Sequence, residues 1–199
     1  MPRHRDADRD EVMSETRRLL LEAATNEFAR EGYNGANINR ISRAAGFAKG
    51  TVYNYFPSKR ALMLALVDTI AAAHVGFVAA RVREADDAVH RLERFFEAGS
   101  EWITENLSQG RVMLTVLNGP DLEFRTRLGQ GYQPMHELIG GEILAVGIDS
   151  GVFRQIDVGS TAALLMILYL GFGSTVDEQG KSGLAPEQVA GFVLHALRT

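Results

Sequence analysis

Between Asn37 and Lys59 the chain reads NINRISRAAGFAKGTVYNYFPSK. Its chemistry-bearing side chains are crowded: Lys49, Thr51, Tyr53, Asn54 and Tyr55 fall within one short stretch, and Lys59 and Arg60 follow closely. Lysine, threonine and tyrosine reach phosphate oxygens, and an asparagine amide can pair with an adenine edge. Gly50 matters by what it lacks, since no side chain keeps the backbone from approaching a duplex closely. Between residues 36 and 60 stand Arg40, Arg43, Lys49, Lys59 and Arg60, and no acid. The whole chain carries −4, made up of +3 over residues 1–60 and −7 over 61–199. An acidic protein with one compact basic segment offers a polyanion a local patch while its bulk is repelled. A solvated helical face that happens to lack acids has the same composition, so charge alone leaves both readings open.

Something must hold those side chains outward. Two helices of about two turns, Ile38–Ala45 and Lys49–Tyr55, are joined by Gly46-Phe47-Ala48, the layout of a helix-turn-helix. Asn37 can cap the first, its side-chain oxygen accepting an orphan N–H, and Pro57 closes the second. The small Ala44 and Ala45 let the helices cross closely, and Ile38, Ile41, Phe47, Val52 and Phe56 supply apolar surface. These pack on a first helix, Ser14–Glu31, through Leu20, Ala23, Ala24 and Phe28, with Gly32 as its stop. Ser58 then caps a long helix to about Arg83, sending Leu62, Leu66, Ile70 and Phe77 toward a core. Three- and four-residue apolar spacing continues to the end and predicts further helices over 87–107, 110–118, 121–147, 158–177 and 186–198. No period-2 alternation appears. The reading is all-α with about nine helices, divided into an unstructured arm (1–13), a DNA-binding helix-turn-helix unit (14–60) and a ligand-binding and dimerisation unit (61–199).

Residues 14–66, above all GFAKGTVYNYFPSKRAL, resemble the N-terminal DNA-binding domain of the tetracycline-repressor (TetR) family of bacterial regulators. The resemblance rests on Ala45-Gly46, Lys49-Gly50-Thr51-Val52-Tyr53 and Phe56-Pro57-Ser58-Lys59 at family spacing, with Ala24, Phe28 and Gly32 before them. It implies that the second helix of the pair enters the major groove. Lys49, Gly50 and Tyr53 would then lie nearest base edges, with Asn54 on the same helix. Thr51, Tyr55 and Lys59 would bind phosphates, and Asn37 and Asn39 would touch the flanking backbone or a base. Ala48 departs from the pattern, standing where serine commonly caps the recognition helix, so about 1 kcal/mol of capping is absent or replaced. Asn37 stands where threonine is usual and keeps the cap. Arg3, Arg5 and Arg9 are interleaved with Asp6, Asp8 and Asp10, which suits a disordered arm better than a minor-groove one.

Residues 61–199 carry no catalytic signature: no G-x-S-x-G, H-E-x-x-H, P-loop or G-x-G-x-x-G occurs. Without cysteine there is no disulfide, no Cys-ligated metal and no Cys nucleophile. The five histidines form no i,i+3 or i,i+4 pair, so no cofactor or metal is expected, and His74 and His136 default to core or surface. Large side chains accumulate instead. Phe77, Phe95, Trp102, Met113, Tyr132, His136 and Tyr169 are candidates to line a cleft for a small apolar or amphipathic ligand, with Trp102, Tyr132 and His136 orienting it. Glycines at 99, 129, 131, 171 and 173 leave room beside them. Arg111 and Arg125 would suit an anionic ligand only if they point inward. Helix 158–177 is apolar almost all round. With the last helix it offers a homodimer face of Leu164, Leu168, Val189, Phe192, Val193 and Ala196, the pairing the family resemblance implies. The charge-free run Val158–Val176 has a continuous apolar centre of only Ala162–Phe172, shorter than the roughly 20 residues of a bilayer crossing. The start, charged throughout, lacks the apolar stretch of a signal peptide, so a cytoplasmic protein without membrane contact is expected. The expectation is a non-enzymatic regulator of an operator in double-stranded DNA. A helical enzyme would need a cluster of titratable groups, and a protein-interaction module would show no salt-dependent DNA binding.

Overall fold

The computed structural model describes residues 3–177 and 181–198. Helix α1 spans Arg3–Gly35, but Gly32 (φ 66°) interrupts its helical dihedrals where the sequence places a stop. Residues 3–13, read above as an unstructured arm, are helical in backbone; Asp10 to Met13 nonetheless stay exposed, with Val12 at 64%. Helix α2 spans Ile38–Ala44, and Asn37 Oδ1 accepts the Asn39 N–H as its cap. Its far end is a Schellman closure: Gly46 (φ 84°) donates its N–H to the Arg43 carbonyl, and Phe47 donates to Ser42.

The next element corrects the sequence reading. In place of a two-turn helix over 49–55, α3 is a single 3₁₀ turn, Thr51–Asn54. Two causes are visible. Gly50 sits at φ 87°, outside helical space, and Ala48 has no side-chain oxygen, so the Thr51 N–H turns to the Ala48 carbonyl instead. A short i→i+3 turn is the form such a start allows.

Helix α4 spans Lys59–Arg83 and is capped by Ser58 Oγ, which accepts from the Ala61 N–H. Helix α5 (Ala88–Glu105) is capped by Asp87, and α6 follows at Leu107–Asn118. The run 122–149 is one bent helix, α7, capped by Asp121. It comprises Leu122–Gly131, a break at Tyr132, Gln133–Glu137 with Pro134 in its first turn, the π-helical Leu138–Ala145 and Val146–Asp149. Proline cannot donate the N–H that would carry the ladder through, which is why the expected straight helix is broken there. Helix α8 (Val158–Gly173) is capped by Asp157, and α9 (Pro186–Leu197) starts with proline in its first turn. Nine helices are thus present among the described residues, with two isolated β-bridges and no sheet.

Helix α4 is the spine. It packs on α5 and α7, while α1 packs on α2 and α6, and α9 closes against α5. By length and composition α4 could cross a bilayer, but Leu62, Met63, Leu66, Val67, Ile70, Ala71 and Val78 are buried in the protein's own core. Each of the larger of these side chains contributes roughly 1.5–3 kcal/mol by leaving water. The core runs without a gap from Leu20 in α1 to Leu197 in α9. Residues 14–60 and 61–198 therefore share apolar contacts.

Candidate functional site

The helix-turn-helix is assembled as expected from its apolar residues: Ile38, Ile41, Val52 and Phe56 are buried and Phe47 is half-buried. That packing leaves Lys49, Tyr53 and Asn54 exposed, Tyr53 at 53%, with Thr51, Tyr55 and Gly50 half-covered beside them. Asn37 is exposed with its carbonyl oxygen committed to the cap, which leaves its NH2 group to meet a partner. Asn39 gives its backbone N–H to that cap and is half-buried.

The basic residues divide more sharply than their types suggested. Arg40 pairs with Glu27 and Glu31, and Arg60 with Asp121 and Glu123. Lys59, expected on phosphate, donates instead to the carbonyls of Asn34 (3.1 Å) and Ala36 (2.7 Å), beneath the ring of Tyr33. Partial burial lowers its pKa from the ordinary lysine value, Glu27 opposing weakly. It fastens the end of α1 to the start of α4. Of the five basic residues between 36 and 60, Arg43 and Lys49 are left with neither an ion pair among the described residues nor a place between α1 and α4, so the positive charge this segment offers a partner stands beside the turn.

Glu27 is the residue that sequence reasoning missed. It is 5% exposed and sits on the apolar stripe of α1 between Ala24 and Phe28. Oε1 accepts from the Asn37 N–H at 2.8 Å and from Arg40 Nε at 2.8 Å, while Oε2 takes Arg30 at 2.7 Å. One carboxylate thus ties α1 to the cap and first turn of α2. An acid on an otherwise apolar face was the available signal.

A second site lies between α4, α5, α6, α7 and α8. His74 is buried on the core stripe of α4, four residues beyond Ile70. Its Nδ1 is 2.6 Å from the Tyr132 hydroxyl and its Nε2 is 2.7 Å from the Tyr169 hydroxyl. Its ring stacks on Trp102, centroids 4.1 Å apart and planes within 9°. Desolvation holds the imidazole neutral, its pKa pushed down to about 3, and raises both phenols. Around this group lies a small interior cavity of about 40 Å³, walled also by Ile103, Met113, Leu117, Leu128 and Leu170. An adjoining groove of about 280 Å³ shares Leu117, Leu128, Tyr132 and Leu170 and opens past Arg125, Gln133 and His136.

Of the seven expected lining residues, Trp102, Met113, Tyr132, His136 and Tyr169 line one cavity or the other. Phe77 and Phe95 do not. Phe77 is half-buried under the Arg81 guanidinium, and Phe95 is full core against Phe96 and Tyr169. Gly99 is explained by contact rather than by vacancy: a β-carbon there would collide with the Tyr169 ring. A further recess of about 590 Å³ between α1, α4 and the α5–α6 corner is lined by Leu21, Leu66, Ile70 and Trp102 together with Arg18, Glu22, Asn26, Glu105 and Asn106.

The outer face of α8 and α9 is apolar and uncovered: Leu164 (60%), Ile167 (66%), Leu168 (39%) and Phe192 (71%) are exposed, and Ala196 lies beside them. Val193, expected on that face, is buried against the chain's own core, and Val189 is half-turned inward. Ile167 takes their place.

The sequence profile described as "Bacterial regulatory proteins, tetR family" matches residues 20–66. The uncharacterised regulator YuxN of Bacillus subtilis is 39% identical over 56 residues, which are 28% of this chain and 19% of that protein. The chain therefore matches only about a fifth of that relative's length. The fatty acid metabolism regulator protein of B. subtilis is 23% identical over 136 residues, 68% of this chain and 70% of that one. In fold, the chain is similar to the fatty acid degradation regulator FadR of Bacillus halodurans (TM-score 0.82, 22% identity, 92% of this chain and 96% of that one). It is also similar to FadR of B. subtilis in complex with stearoyl-CoA (TM-score 0.77, 20% identity, 91% and 97%).

Proposed function

We propose that the chain, whose residues 20–66 match the profile of the tetracycline-repressor family of bacterial regulatory proteins, is a transcriptional repressor that leaves its operator when a small ligand fills the cavity between α4 and α8. The observation that carries the reading is the exposed trio Lys49, Tyr53 and Asn54, held outward by a turn whose apolar residues are all spent on α1 and α2. Gly50, with no β-carbon and no atom near where one would stand, lets this turn meet a groove. Phosphate contacts from Lys49 and Thr51 would set register, and Tyr53 and Asn54 would read base edges.

The exposed stripe of Leu164, Ile167, Leu168 and Phe192 supports a two-fold homodimer, because apolar side chains in such company are seldom left to water. A two-fold protein calls for a roughly palindromic operator with half-sites about one helical turn, or a multiple of it, apart. The ligand acts only by preferring the arrangement in which the two turns are wrongly spaced for DNA. Such a protein works in the cytoplasm, as a non-enzyme. The test is to recover the genomic fragments the purified protein retains and to repeat the capture with apolar ligands present. Failure to enrich any sequence in physiological salt would overturn the repressor reading.

A further inference from the structure

The buried group His74–Tyr132–Tyr169 has one hydrogen-bond donor more than it has bonds. A neutral imidazole carries one N–H and each phenol one O–H, so the trio holds three donors. Two hydrogen bonds link them, and among the described residues neither hydroxyl has any hydrogen-bond partner but His74. Whichever tautomer the imidazole adopts, one donor is left over in a buried place, where an unmade hydrogen bond is costly.

Geometry says which one. Tyr169 also borders the interior cavity, but its ring is pressed against Gly99 so closely that a β-carbon could not be added, Phe95 lies tilted against it at 4.5 Å, and it does not reach the groove. Tyr132 lines both the interior cavity and the groove that leads outward. Both tautomers make two bonds, and the one that leaves the spare donor on the side common to cavity and groove has the Tyr169 O–H donating to Nε2 and Nδ1–H donating to the Tyr132 oxygen. The Tyr132 O–H then points at the cavity.

We propose that Tyr132 Oη–H is a donor held ready for a neutral carbonyl oxygen, so that the cavity selects small apolar carbonyl compounds over alkanes, carboxylates and amines of the same size. The walls agree. Among the described residues no charged side chain lines the interior cavity, and Arg125 reaches only the outer groove, so a buried carboxylate would lack a counter-ion. An ammonium group would find a donor where it needs an acceptor. The interior cavity of about 40 Å³ takes the carbonyl end alone, and the aliphatic body of such a compound would lie along the adjoining groove of about 280 Å³, past Leu117, Leu128, Met166 and Leu170.

The inference rests on the cavity being the ligand site of the proposed repressor, and two measurements on the full chain test it. In ¹⁵N NMR of the free protein His74 should be the Nδ1–H tautomer; an Nε2–H tautomer overturns the assignment. Trp102, the single tryptophan, stacks on His74 and should report binding by fluorescence. Of 2-octanone, octane, octanoate and octylamine, 2-octanone should bind about tenfold tighter than the others, the worth of one hydrogen bond. Tyr132→Phe should erase that advantage, and Tyr169→Phe should keep most of it. Equal binding of octane, preference for either ion, no binding of 2-octanone, or an advantage that survives Tyr132→Phe overturns the proposal. Selective ketone binding with operator affinity unchanged supports this inference while removing the coupling proposed above.

Discussion

The guanidinium of Arg60, in the first turn of α4, lies 2.8 Å from Asp121, the cap of α7, where it also meets Glu123 at 2.7 Å and the face of Phe124 at 4.8 Å. Phe124 in turn packs edge-on against Tyr33 at the end of α1. One turn further along, α7 walls the groove with Arg125, Leu128 and Gly129. The helix that borders the groove thus grips the N-terminal helices at its own start. Arg60→Met should leave stability close to that of the wild type, since Arg60 meets its two carboxylates at the surface. It should shrink the ligand-induced loss of operator affinity severalfold in fluorescence anisotropy. Release as complete as in the wild type would show that the signal travels by another route, with the tilt of α4 itself the first candidate.

Tyr53→Ala should relax sequence preference at a cost of about 1–3 kcal/mol in operator binding. Lys49→Ala should weaken binding to all sequences alike and reduce the salt slope by about one. Lys59→Ala should behave differently. It removes two hydrogen bonds that close α1 onto α4, so it should lower thermal stability by about 1–2 kcal/mol as well as DNA affinity. Gel shifts beside melting curves separate the two effects.

Glu27→Ala should be among the most destabilising changes in the N-terminal unit, by about 2–3 kcal/mol. It strands the Asn37 N–H and releases Arg40 and Arg30 together. Glu27→Gln keeps an acceptor for the N–H and should cost less. Urea unfolding of the two variants measures the difference.

A charge on the outer face should split the dimer and spare the fold. Ile167→Asp and Phe192→Glu are expected to sediment as monomers with a near-normal helical spectrum, because these side chains touch solvent in the single chain. Val193→Asp should unfold the chain, since that position is 4% exposed within it. Retention of the dimer by both outer-face variants would place the interface elsewhere.

Acid should destabilise the protein through His74. Its folded pKa, near 3, lies below the value near 6.5 of an unfolded histidine, so the unfolded state takes up the proton first. This contribution is intact above about pH 6.5 and is lost progressively as pH falls toward 3, at up to about 1.4 kcal/mol per unit. His90, raised by its hydrogen bond to Asp87, acts in the opposite sense. Stability from denaturant titration between pH 7.5 and 5 should fall in the wild type and fall less in His74→Gln.

Much of the architecture is decided by local chemistry and was legible at once. Asn37 and Ser58 cap helices because their side-chain oxygens sit where an N–H is orphaned, Gly46 turns the chain because it alone tolerates φ 84°, and spacing of three and four assigns the apolar faces. The exposed trio of the DNA-binding turn follows from the same patterning, by subtraction of the residues the core claims. Other outcomes needed residues far apart in sequence to meet. Lys59 and Arg60 have the composition of phosphate binders, yet carbonyls at the end of α1 and carboxylates at the start of α7 claim both. Val193 and Phe192 are neighbours of like hydrophobicity, and only the seating of α9 on α5 turns one inward and the other out. His74 read as an isolated histidine because its partners stand 58 and 95 residues away. A helical period says which face of a helix is buried, but not which polar group on another helix will be opposite it. That pairing is a property of the packed core, and it is where this protein keeps the donor of its cavity.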